Sequence, residues 1–126
     1  LLNRIALVAC LFAPGVALAQ SLALENTCQT VAKNFLLSDR LAVGIIQSFP
    51  ELKPAGVRMT YSTREGATRG DMADTFECEF DAAEPPYHLT RFCVSNTCYS
   101  PKEQDGERKR RFEEVRILLE RSGKQK

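Results

Sequence analysis

The stretch Asp74-Thr75-Phe76-Glu77-Cys78-Glu79-Phe80-Asp81 decides the fold. Phe76, Cys78 and Phe80 alternate with Thr75, Glu77, Glu79 and Asp81. A period of two puts the apolar side chains on one face of a β-strand and the acids on the other. One dry and one wet face is the pattern of an antiparallel sheet covered on a single side. Just upstream, Val57, Met59 and Tyr61 alternate with Arg58, Thr60 and Ser62, which reads as a second half-buried strand. The segment between, Thr63 to Ala73, carries two glycines and mixed charge and reads as a loop. Downstream, Glu84-Pro85-Pro86 interrupts the chain and Tyr87 to Val94 follows as a third strand, with Tyr87, Leu89 and Cys93 in phase. Ser95-Asn96 has the composition of a two-residue turn returning the chain through Thr97-Cys98-Tyr99, and Ser100-Pro101 stops it.

Helices flank these strands. Leu24, Cys28, Val31 and Phe35 recur at helical spacing. Ser38-Asp39 is an N-cap signal, so the next segment is expected as a short second helix carrying Leu41, Ile45 and Phe49, or as a kinked extension of the first. A strand at Ala42 to Ile46 is the lesser alternative, because Gly44 weakens it. Glu107 to Glu120 reads as the last helix, with Phe112, Val115, Leu118 and Leu119 as its apolar stripe. Lys109–Glu113, Arg110–Glu114 and Arg116–Glu120 are spaced as i,i+4 pairs, Gly123 is the candidate C-cap, and Ser122 to Lys126 reads as a frayed tail. The expected fold class is α+β: an N-terminal helix or helix pair, a three- to four-stranded antiparallel sheet, and a C-terminal helix, with the helices packed on one sheet face.

Residues 1–19 carry a separate signal. Arg4 supplies a positive start, Ile5 to Ala13 an uncharged apolar run, and Ala17-Leu18-Ala19 a small–x–small cleavage pattern. This reads as a signal peptide removed before Gln20, leaving residues 20–126 as a single small domain that is periplasmic or secreted. The apolar run is short of the roughly 20 residues a membrane span requires and contains Pro14-Gly15, so no transmembrane helix is expected in the mature form. Leu7-Val8-Ala9-Cys10 resembles the lipobox of bacterial lipoproteins, and lipid anchoring at Cys10 is the minority reading.

The full chain holds 17 basic and 16 acidic residues. Loss of Arg4 would balance them, which argues against a nucleic-acid partner. Removing Cys10 leaves Cys28, Cys78, Cys93 and Cys98, an even number in an exported chain, and hence two expected disulfides. The two-residue turn places Cys93 opposite Cys98. Cys28 and Cys78 both lie on inward faces, which leaves Cys28–Cys78 to staple helix to sheet. A zinc site is the rival, but Cys93-x4-Cys98 is wide for a knuckle and no second close pair exists.

Candidate chemistry is sparse. His88 is the only histidine and stands in no recognisable nucleophile motif. Glu77 and Glu79 share a strand face as a carboxylate dyad would, although alternating acids on a wet face more commonly serve solubility. Gly66 to Gly70 lacks the Lys-Ser/Thr of a phosphate loop. Arg69-Gly70-Asp71 matches the integrin-type tripeptide, which is short enough to arise by chance. No motif requires a cofactor or metal. Charge is unevenly spread, with six acids and no base over Asp71 to Glu84 and eight bases against three acids over Arg108 to Lys126. The residues therefore favour a non-enzymatic binding domain. Arg108, Lys109, Arg110 and Arg111 are its partner-binding candidates, directed at an envelope protein or an anionic surface. The runner-up is a small secreted enzyme, or an enzyme inhibitor, acting through a cleft near His88.

Overall fold

The structure, a computed structural model, describes residues 20–124. The expected signal peptide, cleavage site and Cys10 anchor lie outside the described residues. The elements run α1 (Leu22–Leu36), β1 (Ala42–Phe49), β2 (Ala55–Ser62), β3 (Asp74–Phe80), β4 (Leu89–Val94), β5 (Thr97–Tyr99) and α2 (Gly106–Lys124). The strands form one antiparallel meander in the order β1-β2-β3-β4-β5. The α+β class stands, with five strands rather than three or four.

The extra strand is the segment expected as a second helix. Leu37 takes the left-handed conformation (φ 51°, ψ 43°), and its N–H closes α1 on the Lys33 carbonyl, so the helix ends there. Val43, Ile45 and Ile46 are β-branched and suit a strand. Gly44 does not prevent one; it marks a bulge, with the β1–β2 register shifting between Val43 and Ile46. A Cβ at Gly44 would stand 2.5 Å from Thr60 Oγ1 and 2.9 Å from Met72 Sδ. The Ile45 N–H donates to that same Thr60 hydroxyl at 2.9 Å. The bulge points Val43 and Ile46 inward and Ile45 outward, 62% exposed. An inward spacing of three imitates a helical period, and this misdirects the pattern.

A second irregularity shifts β4. Phe80 pairs with Leu89 but Glu79 pairs with Arg91, so Thr90 is the extra residue. Leu89 and Phe92 consequently face the core, and Cys93 falls on the opposite face rather than in phase with Leu89.

One hydrophobic cluster joins both helices to one face of the sheet. Leu24, Cys28 and Val31 of α1 meet Val57, Met59, Phe76, Cys78 and Phe80, while Phe112 and Val115 of α2 close over Phe92. Phe92 sits at its centre, stacked on Phe76 (5.6 Å), Tyr99 (4.9 Å) and Phe112 (6.2 Å). Each fully buried Phe is worth roughly 1.5–3 kcal/mol relative to exposure. Both disulfides form as expected: Cys28–Cys78 ties α1 to β3, and Cys93–Cys98 bridges β4 and β5 across from each other. Two disulfides point to an oxidising compartment outside the cytoplasm. No helix among the described residues is long and apolar enough to cross a membrane.

At the N-terminal end, the Ser21 hydroxyl caps α1 by accepting from the Leu24 N–H. Gln20 Oε1 accepts from the Ser48 N–H at 2.8 Å, which occupies part of the outer edge of β1. Ser48 is buried and donates through Oγ to the buried Glu25 carboxylate at 2.9 Å. At the other end, α2 runs through Ser122 and Gly123 to Lys124, further than the expected tail and C-cap allowed. Leu118 turns to solvent, and Leu119 holds the core side of the stripe.

Candidate interaction surface

The first turns of α2 form because Asp105 Oδ1 accepts from the N–H groups of Glu107 (2.8 Å) and Arg108 (3.2 Å). Burial of Phe112 and Val115 fixes the rotation of the helix. That rotation distributes the four bases in different directions. Arg108 points towards β5, where Nη1 donates to the Cys98 carbonyl (3.5 Å) and Nη2 approaches Glu103 (3.6 Å). Arg110 is exposed and bonds Glu107 and Glu114 on its own helix. The Glu107 hydrogen bond, aided by the charges of Glu107 and Glu114, raises the Arg110 pKa above its ordinary value. Lys109 is exposed and has no carboxylate within ion-pair distance among the described residues; Glu113, its expected i,i+4 partner, bonds Arg116 instead.

Arg111 is turned into the molecule. Its Nη2 donates to the Phe35 carbonyl at 3.1 Å, and its guanidinium lies 4.7 Å from the centroid of the Phe35 ring. That carbonyl belongs to the last turn of α1, where no intrahelical donor remains for it. Arg111 thus caps one helix from the other. The expected four-base face is in the structure Lys109 and Arg110 outward, Arg108 over the β5 edge, and Arg111 in the helix–helix contact.

The uncovered face of the sheet carries the other candidates. Glu77 lies opposite Arg58 and Glu79 opposite Arg91, with ion-pair distances of 3.3 and 3.5 Å. Each carboxylate of the imagined dyad is thereby paired with a neighbouring arginine, an arrangement of solvated cross-strand pairs worth little each. His88 is exposed, and Asp81 Oδ1 accepts from its backbone N–H (3.1 Å) rather than from its imidazole. A shallow groove nearby is lined by residues 50–54 and 81–84, and His88 is not part of its wall. Arg69-Gly70-Asp71 forms an exposed 3-10 turn, and Thr68 Oγ1 donates to the Asp71 carboxylate at 2.8 Å. Among the described residues no group of three or more His, Cys, Asp or Glu is placed to hold a metal ion.

Sequence reasoning passed over one residue on this face. Arg91 Nη2 stands 3.1 Å from Cys98 Sγ while Nη1 reaches Glu79. The hairpin register itself carries the signal, since pairing Cys93 with Cys98 places Arg91 diagonally beside Cys98, within reach of a long side chain. Comparison with protein-family models, with curated proteins and with solved structures returns no match for this chain.

Proposed function

We propose that the protein is an exported, non-enzymatic interaction domain, periplasmic or secreted after loss of residues 1–19, that docks an acidic envelope partner through the start of α2. The observation that carries this reading is the rotation of α2: burial of Phe112 and Val115 leaves Lys109 and Arg110 facing solvent. Arg108, beside the β5 edge, extends that positive surface. Arg111 is assigned to the helix–helix contact, where it positions the surface without meeting the partner. Local pairing of Arg110 with Glu107 and Glu114 means a partner carboxylate has to compete with two from the helix itself. The contact is therefore weak and salt-sensitive.

Intact-mass measurement of exported protein tests the compartment: a chain starting at Gln20 is expected, and one starting at an acylated Cys10 would place the protein on a membrane. Capture from envelope extract by immobilised residues 20–126 tests the surface. Lys109→Gln/Arg110→Gln is expected to lose, at low salt, the proteins that wild type retains, with unchanged melting. Equal retention by the variant overturns the assignment of the surface.

A further inference from the structure

We propose that Cys93–Cys98 is a site of reversible exchange with a low-molecular-weight thiol, with Cys98 as the sulfur that meets the thiol and Arg91 as the group that stabilises its thiolate. The two disulfides stand in opposite surroundings. Cys28 and Cys78 are 0% and 1% exposed, sealed between α1 and β3. Cys93–Cys98 lies on the uncovered sheet face in the outermost hairpin, where Cys93 is buried and Cys98 is partly exposed, so Cys98 is the sulfur a thiol can reach. Opening it does not require the hairpin to leave. The hairpin has other ties: the Ser95 N–H donates to the Thr75 carbonyl at 2.9 Å, and Tyr99 stacks on Phe92 and lies tilted against Phe35. The bridge also closes only five residues, so little chain entropy holds it shut.

Arg91 supplies the electrostatics. Its Nη2 lies 3.1 Å from Cys98 Sγ, and a guanidinium at that distance favours thiolate over thiol. Arg108 adds a second positive group by donating to the carbonyl of the same residue. Stabilising the reduced form makes a disulfide easier to reduce.

The chemistry balances with the thiol as reductant. A thiolate attacks Cys98 Sγ, forming a mixed disulfide as the Cys93–Cys98 bond breaks. Cys93 leaves with the electron pair and takes a proton from water. A second thiolate attacks the small-molecule sulfur of the mixed disulfide and releases Cys98 as a thiolate beside Arg91. Two thiols become one disulfide, and the protein gains two electrons. In reverse, the Cys98 thiolate is the nucleophile.

The test is a glutathione titration of residues 20–126 near pH 7.5, with acid quenching, alkylation of free thiols and peptide mass analysis. Cys93 and Cys98 should be reduced, with glutathione trapped on Cys98, at ratios that leave Cys28–Cys78 closed and the circular dichroism native. Arg91→Gln should lower the equilibrium constant for reduction by about 3–10-fold, because the Cys98 thiolate loses one adjacent positive charge. Glu79→Gln, which frees Arg91 from its other partner, should raise it. Arg91 is exposed, so both variants are expected to melt as wild type does. Opening of both disulfides together, failure of Cys93–Cys98 to open before the protein unfolds, glutathione on Cys93 instead of Cys98, or an unchanged constant in Arg91→Gln overturns the proposal.

Discussion

Removing the two disulfides separately should have unequal consequences, and the structure says by how much. Cys28–Cys78 closes a sequence separation of 50 and Cys93–Cys98 one of 5. On the chain-entropy model the first restricts the unfolded state by about 4 kcal/mol and the second by about 2 kcal/mol. Burial widens the gap. Cys28→Ala/Cys78→Ala leaves a void in a sealed position between α1 and β3, and packing around it recovers only in part. Cys93→Ala/Cys98→Ala removes one buried and one partly exposed sulfur from the outer hairpin, outside the main hydrophobic cluster, and leaves less to collapse. The difference in unfolding free energy should therefore be at least ~2 kcal/mol, or roughly 8–16 °C in melting temperature for a domain of this size. Urea unfolding of the two double variants, followed by far-UV circular dichroism and fitted with a common slope, reads it directly. The Cys28/Cys78 variant should fall near the edge of stability, since the whole reserve of a small domain is about 5–15 kcal/mol. Equal losses, or a larger loss from the Cys93/Cys98 variant, would refute the assignment of the helix-to-sheet bridge as the principal staple.

Three further outcomes follow from backbone and burial. Gly44→Ala should lose about 1–3 kcal/mol by urea unfolding, because its methyl would meet Thr60 Oγ1 at 2.5 Å; combined with Thr60→Ala the loss should be less than the sum of the two, and strict additivity would deny the bulge contact. Leu37→Gly should raise stability by about 0.5–1 kcal/mol, since Leu37 is left-handed and 80% exposed, so strain is relieved with almost no buried area lost; a lower urea midpoint would contradict that conformation. Burial, and secondarily the charge of Asp74, raises the Tyr61 pKa above its ordinary 10.0. The folded protein therefore holds the phenolic proton where the unfolded chain has lost it. The stability this represents is fully present below about pH 10 and is lost as pH rises through the folded value. Tyr61→Phe should flatten the alkaline limb of a stability–pH profile, and an unaltered limb would show that Tyr61 does not carry it.

The elements legible in the sequence were those whose pattern is local and unbroken. Phe76, Cys78 and Phe80 declare β3 without help from any other segment, and the residues of Cys93–Cys98 declare their own turn. Ser95 adopts a positive φ of 53°, which lets the two-residue loop close and brings the cysteines into register. Residues 41–49 carry no such unbroken local pattern. There a bulge at Gly44 breaks the period of two, and the inward residues Val43 and Ile46 fall three apart. What makes the segment a strand is its partner, because the Thr60 hydroxyl accepts from the Ile45 N–H and fills the space that only glycine leaves at position 44. Neither fact is written within the segment, so a reading by local propensity loses to a tertiary contact.

The candidate surface was half legible for a related reason. A run of four bases on a helix looks uniform in sequence, but a turn of 3.6 residues sends its members in four directions. Two stripe residues, Phe112 and Val115, fix which direction each takes. Arg111 could then be identified only by knowing that the end of α1 lies beneath it with an unsatisfied carbonyl at Phe35. This separates the four bases by experiment as well as by geometry. Arg111→Gln removes a charge-assisted hydrogen bond and a contact with the Phe35 ring, and should lower stability by about 1–3 kcal/mol. Lys109→Gln, on the open side of the same helix, should stay within about 0.5 kcal/mol of wild type. Urea midpoints of the two single variants decide between the roles. If Arg111→Gln unfolds at the same midpoint as Lys109→Gln, the helix–helix cap contributes nothing. Arg111 would then return to the group of residues free to meet a partner.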